Sequence, residues 1–149
     1  MGKKVCHITS AHSRYDVRIF IKECASLAKN GYDVTLIVND DEADETKKNV
    51  KIKSTKLKPK NRLERFVKSK ELLLAKAIEV DADIYHFHDP DLLLLGKKLK
   101  RRGKKIIFDC HEDFPNQIMD KAWIPSPLRG IVTRMYSMYE KFLVKKYDA

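Results

Sequence analysis

The sequence predicts an open, parallel α/β sheet with helices on both faces. Three observations carry that prediction. Strand-like and helix-like patterns alternate along almost the whole chain, as they do in βαβ units. Two apolar runs, Asp83-Ile-Tyr-His-Phe-His-Asp-Pro-Asp91 and Ile106-Ile-Phe-Asp-Cys-His-Glu-Asp-Phe-Pro115, each end in a burst of His, Asp and Glu, and ligands of such sheets bind where the strands end. The 149 residues, 43% of them hydrophobic, are enough to bury one core without disulfides or a structural metal.

The elements follow in order. Lys4 to Thr9 reads as a first strand and Ser10 to Asp16 as a polar loop. Val17, Phe20, Ile21, Cys24, Leu27 and Ala28 then form a helical stripe, with Asp16 as N-cap and Gly31 as stop. Val34 to Val38 is a second strand, Asn39 to Asn49 a polar loop, and Val50 to Ser54 a third strand. Asn61 to Val80 is a long helix whose inward face is Leu63, Phe66, Val67, Leu73, Leu74, Ala77 and Ile78. Asp83 to Phe87 is a fourth strand. Asp89 is read as the cap of a helix with Pro90 at its first position, where a missing N–H costs nothing. Lys97, Lys98, Lys100, Arg101 and Arg102 complement that helix's dipole before Gly103. Lys105 to Cys110 is a fifth strand, and Leu128 to Lys145 a last amphipathic helix. Right-handed crossovers give the Rossmann-like strand order 3-2-1-4-5. Tyr147-Asp-Ala149 resembles the approach to another strand, so the sheet is expected to continue into a larger protein.

Composition narrows the function. No apolar run approaches the roughly 20 residues that span a bilayer. The apolar run after Lys3 and Lys4 is broken by His7, Thr9 and Ser10, which argues against a signal peptide. Cys6, Cys24 and Cys110 have no framework spacing and read as buried, reduced thiols in a cytoplasmic protein. A net charge of +10 calls for an anionic partner.

Three rims concentrate polar groups. His86 and His88 share one face of the fourth strand, and His88, nearer the tip, is the one expected to face a ligand beside Asp89. Asp109, His111, Glu112 and Asp113 follow the fifth strand. His12, Ser13, Arg14, Asp16 and Arg18 lie between the first strand and first helix, where free N–H groups and a helix dipole favour anions. That loop has no glycine, so Arg14 or Arg18 is expected to meet the anion. His86, His88, Asp109 and His111 together would suit zinc, and a metallohydrolase using His86, His88 and His111 is one rival reading. A non-catalytic α/β ligand-binding module is another. A basic tract, Lys56, Lys58, Lys60, Arg62, Arg65, Lys68 and Lys70, enters a helix with apolar positions, a pattern suited to an anionic bilayer surface. No aromatic residue interleaves that tract, which argues against nucleic acid.

The segments His12-Ser-Arg-Tyr-Asp-Val-Arg-Ile-Phe20, Leu27-Ala-Lys-Asn-Gly-Tyr-Asp-Val34, His86-Phe-His-Asp-Pro-Asp-Leu-Leu93 and Asp109-Cys-His-Glu-Asp-Phe-Pro115 resemble, in this order and spacing, the N-terminal domain of GT-B glycosyltransferases of family 4. The resemblance spans essentially the whole chain and is nearest to enzymes that assemble bacterial surface polysaccharides such as capsule. It implies a Rossmann-like, acceptor-side domain over residues 1–149, with a nucleotide-sugar domain that this chain lacks, so that the fragment alone would be inactive. It implies retaining transfer of a hexosyl group from a nucleotide-sugar to a lipid-linked saccharide, with no metal and no cofactor. His111 is implied as the residue approaching the transferred sugar. His12, Ser13, Arg14, Asp16, Arg18, His88, Asp89, Glu112 and Asp113 are implied around the substrates. Peripheral attachment to the inner face of the cell membrane through Lys58, Lys60, Arg62, Arg65 and Lys68 is implied as well.

Overall fold

A computed structural model of the chain describes residues 2–57, 60–109, 118–120, 122 and 124–149. Six strands form one sheet: β1 (Lys4–Ile8), β2 (Asp33–Val38), β3 (Glu45–Lys47), β4 (Val50–Ser54), β5 (Ile84–Phe87) and β6 (Lys105–Phe108), in the order β3-β4-β2-β1-β5-β6. All pairings are parallel except β3 with β4. The five parallel strands therefore stand in the expected 3-2-1-4-5 order. β3 is the departure, because the sequence reading has a loop there. It is a short polar edge strand without periodicity, turned back onto β4 by Lys48 and Asn49, which both adopt positive φ (51° and 60°), as a tight hairpin requires.

The central strands β1 and β2 are buried on both faces and read as near-continuous apolar runs, whereas β4 alternates, with Lys51 exposed between buried Val50 and Ile52. One face carries a core of Cys6, Ile8, Ile37, Tyr85, Phe87 and Ile106 with Leu73, Ala77, Leu92, Leu93 and Leu99 from the covering helices. The other pairs Val34, Leu36, Val38, Val50 and Ile52 with Ile19, Phe20 and Cys24. That second core draws on β2, β4 and the first helix. The neighbouring strands β1 and β5 set His7 and His86 side by side in register.

The first helix begins where expected. The Asp16 carboxylate accepts from the backbone N–H groups of Arg18 and Ile19, both at 2.9 Å. Its first part, Val17–Cys24, is π-helical, and an α-helical turn follows over Ala25–Lys29. The wider i→i+5 turn changes which side chains face the sheet. Ile19, Phe20 and Cys24 are buried, whereas Val17 (63% exposed) and Ile21, expected inward, face solvent. The second helix is divided similarly into Arg62–Glu64, a π-helical turn Arg65–Ser69, and Lys70–Val80. Leu73 and Ala77 pack inward as predicted, but Leu63 (75% exposed), Val67 and Ile78 do not. The π turn shifts the phase of the helix, and it is the later part that packs on β1 and β2.

A third helix runs from a 3-10 turn at Pro90–Leu92 into Leu93–Lys100, and the last helix spans Ser126–Val144. Leu143 joins the core, while Leu128, Ile131, Met135, Met138 and Phe142 are exposed along that last helix. Beyond it the Asp148 backbone N–H donates to Ile106 O at 2.8 Å, and Phe108 N–H to Ala149 O at 2.9 Å, so the final residues run beside β6. No helix among the described residues is long and apolar enough to cross a membrane.

Tyr85 ties the second helix to the sheet. Its buried hydroxyl donates to Ala77 O at 2.7 Å and accepts from Ala82 N–H at 2.8 Å. Tyr85→Phe keeps the ring but leaves both backbone groups without that partner. The expected cost in urea unfolding is about 1–3 kcal/mol; an unchanged midpoint would mean the two groups find other partners.

Candidate functional site at the strand ends

The C-terminal ends of β1, β5 and β6 converge on one rim. Thr9 Oγ1 and the Ser10 backbone N–H both donate to Asp89 Oδ2, at 2.6 and 2.7 Å. Ser10 Oγ donates to Asp91 Oδ1 at 2.7 Å. Asp89 is thus turned toward β1: it makes no side-chain hydrogen bond to the helix it precedes, contrary to the capping role expected from its place before Pro90. Cross-linking two parallel strands satisfies the buried carboxylate more fully, since Thr9 and Ser10 supply two donors.

His12 stands over this junction, with Nε2 3.6 Å from Asp89 Oδ1 and Nδ1 3.6 Å from Asp16 Oδ2. Ser13 is exposed, and its carbonyl accepts from the Asp16 N–H at 3.1 Å. From the first helix, Arg18 reaches across to Asp109 at the end of β6 and hydrogen-bonds its carboxylate. His12, Asp16, Arg18, Asp89 and Asp109 therefore belong to one continuous polar edge. Cys110, His111, Glu112 and Asp113 lie outside the described residues. In the basic tract, Lys60 and Lys68 are exposed beside exposed Leu63 and Val67. Lys58 and the side chains of Arg62 and Arg65 lie outside what is described.

Arg14 requires a correction. Expected to meet an anionic ligand, it is buried, its side chain only 4% exposed. Its Nε and one terminal nitrogen fork onto Asp40 (both 2.9 Å), and the other donates to Glu45 (2.8 Å) and Ala43 O (2.9 Å). The guanidinium is held inside the protein by the segment leading into β3. Its fork matches the carboxylate geometry better than solvent would.

His88 needs a smaller correction. It is buried, and His86 is the more exposed of the pair, 18% in its side chain. Two residues that sequence reasoning passed over, His7 and Glu23, complete a cluster with them. His7 Nδ1 and His88 Nε2 are 2.9 Å apart. Glu23 Oε2 lies 3.6 Å from His7 Nδ1, 3.7 Å from His86 Nδ1 and 3.7 Å from His88 Nε2. One ligating atom from each of the four side chains falls within 4.8 Å of every other. The in-register pairing of β1 with β5 brings the histidines together, and the π-helical turn brings Glu23 over them. Burial pushes the His7 imidazole down to about 3, helped by His86. Burial also lowers His88, with His86, His7, Arg18 and His12 adding to it. His86 is lowered for the same first reason, against the pull of Asp109. The only sequence signal was an odd one: a histidine inside the apolar run Val5-Cys-His-Ile8.

Comparison with known proteins adds an independent line. Residues 17–149 match the model of Glycosyltransferase Family 4. Among solved structures, sucrose-phosphate synthase from Thermosynechococcus elongatus superposes with a TM-score of 0.62 at 13% sequence identity. That match covers 93% of this chain and 40% of the other, so the chain spans well under half of that relative's length. Such a likeness speaks for the fold alone. No curated protein matches the sequence.

Proposed function

The chain belongs to glycosyltransferase family 4, and from that premise we propose that it is the acceptor-side half of a retaining GT-B enzyme. It would move a hexosyl group from a nucleotide-sugar to a lipid-linked saccharide in bacterial surface polysaccharide synthesis, of which capsule is one form. A second domain, carrying most of the nucleotide-sugar site, would complete the cleft. What supports this reading, beside the family match, is the convergence of His12, Arg18, Asp89 and Asp109 on one strand-end rim, the place where ligands of open α/β sheets bind.

In this reading the transition state is oxocarbenium-like, with negative charge building on the leaving phosphate. Positioning and preorganised electrostatics would supply most of the acceleration. The rim suits that task, because its groups hold one another: Asp16 is fixed by the helix start, Asp89 by Thr9 and Ser10, and Asp109 by Arg18. Ser13, Asp16, Arg18 and Asp89 would line the substrates with Glu112 and Asp113, and His111 would approach the sugar. Retention by front-face attack needs no nucleophile from the protein, and no cofactor enters the transfer step.

The deciding experiment is transfer or hydrolysis of a panel of nucleotide-sugars by the full-length protein. Release of nucleotide from none of them, with or without acceptor lipid, would favour a non-catalytic ligand-binding module. His111→Ala is expected to lower turnover at least about tenfold, or about 1.4 kcal/mol in the barrier, with the fold intact by circular dichroism. Near wild-type turnover would remove that role. The membrane reading draws support from Leu63 and Val67, exposed beside Lys60 and Lys68. Co-sedimentation with anionic vesicles should weaken as salt rises, and equal binding to neutral vesicles would count against it.

A further inference from the structure

We propose that His7, Glu23, His86 and His88 form a binding site for one divalent transition-metal ion, zinc by preference, buried between the sheet and the first helix. The site lies outside the transfer chemistry set out above.

The donor set and its spacing carry the proposal. Three imidazoles and one carboxylate are a complement that zinc accepts, and in tetrahedral coordination with ligands about 2.1 Å away the ligand atoms stand about 3.4 Å apart. Here Glu23 Oε2 is 3.6, 3.7 and 3.7 Å from the ligating nitrogens of His7, His86 and His88, and the nitrogens of His7 and His88 are 2.9 Å apart. The remaining two spacings, from His86 to the other two rings, fall within 4.8 Å, so side-chain shifts of up to about an ångström would close the four donors on one ion. Oxygen-loving magnesium and calcium suit this nitrogen-rich set poorly.

The surroundings point the same way. His88 Nδ1, the ring nitrogen turned away from the cluster, lies 3.7 Å from Asp109 Oδ2. Closing by under an ångström, that carboxylate would take the ring N–H and fix the tautomer, as carboxylates beyond zinc-bound histidines do. Burial keeps the three imidazoles neutral, the form that ligates. Without an ion the three rings pack on one another, with centroids 4.4 to 5.2 Å apart and one short nitrogen–nitrogen contact. The partial exposure of His86 and Glu23, 18% and 25% in their side chains, leaves an entry path. Four protein ligands in a buried position describe a closed site, so the ion's task is to pin the first helix to β1 and β5. Arg18, on that helix, reaches Asp109 on the rim from the same anchor.

The test is metal analysis of the purified protein, followed by chelation and titration with zinc, magnesium and cobalt(II). Expected are roughly one zinc per chain retained through gel filtration, a higher melting temperature on adding zinc but not magnesium, and the intense visible bands of four-coordinate cobalt. His86→Ala and Glu23→Gln should each weaken zinc binding at least about tenfold. No retained zinc after incubation with excess metal would overturn the proposal. So would equal retention by wild type and both variants, or a thiolate charge-transfer band, which would assign the ion to one of the three cysteines. Should a variant fail to fold, the wild-type cobalt spectrum decides alone: bands of octahedral strength overturn the site.

Discussion

Arg14→Ala should lower the free energy of unfolding by about 3–5 kcal/mol, the cost of removing one partner from a buried ion pair. For a chain of this length that corresponds to a melting point roughly 6–20 °C lower. The guanidinium makes four hydrogen bonds, to Asp40, Glu45 and the Ala43 carbonyl, and nearly all of its side chain is out of water. Alanine leaves the Asp40 carboxylate, itself only 19% exposed, without its fork, and leaves a void in the guanidinium's place. Arg14→Lys keeps the charge but cannot bridge the three acceptors at once, so it should fall between the two. The Tyr15 hydroxyl also donates to Glu45, at 2.5 Å, and this second tether limits how far the segment leading into β3 can loosen. A double-mutant cycle with Asp40→Ala should show a coupling of more than about 1 kcal/mol. A loss below about 1 kcal/mol for Arg14→Ala would place this network with ordinary surface pairs. The same variant separates stability from function: because Arg14 is enclosed by Asp40, Ala43 and Glu45 rather than open to a ligand, transfer per folded molecule should be unaffected.

The sheet and its order were readable from the chain because its central strands are apolar on both faces, β4 alternates, and amphipathic runs separate them. Residues 4–8, 33–38, 50–54, 84–87 and 105–108 needed little beyond composition. Arg14 was misread for a specific reason. Its partners lie 26 to 31 residues further on, in a stretch without periodicity that contains the three-residue β3. Local pattern places a residue on an element, but the partner of a charge depends on which distant loop folds over it. Glu23 was missed through helix period. A 3.6-residue stripe through Val17, Phe20, Ile21 and Cys24 puts Glu23 at its margin, and the i→i+5 turn brings it, with Ile19, onto the sheet. His7 was hidden inside an apolar run, where position alone does not distinguish a packed ring from a ligand. The conjunction of His12, Arg18, Asp89 and Asp109 was legible in outline because open parallel sheets gather their strand ends on one edge.

Metal-free protein should lose about 4 kcal/mol of stability between pH 7 and pH 5, ahead of general acid denaturation. In the folded state burial holds His7 and His88 neutral, with His7 at about 3. In the unfolded chain both take up protons near pH 6.5. Below that pH the unfolded state binds more protons than the folded one. Stability is therefore complete above about pH 6.5 and falls as pH drops toward the folded values, at up to about 1.4 kcal/mol per pH unit for each histidine. Each contributes about 2 kcal/mol by pH 5, and His86, being more exposed, adds less. The carboxylates of Asp40 and Glu45, held low partly by Arg14, act below about pH 4.5 and do not enter this window. Opposing the effect is Glu23, whose carboxylate sits against all three rings and favours an imidazolium there. Urea unfolding at a series of pH values in the presence of a chelator measures the balance: uptake of about two protons on unfolding near pH 5.5 is expected, and His7→Gln should reduce it to about one. Uptake of less than one proton by the wild type would show that Glu23 prevails and that one ring is already charged at neutral pH. Repeating the series with zinc separates the two roles of the cluster. Because burial already holds these rings neutral in the metal-free fold, zinc should raise stability by a similar amount at pH 7 and pH 5, and a decline that steepens with zinc would mean that one ring is protonated before the ion binds.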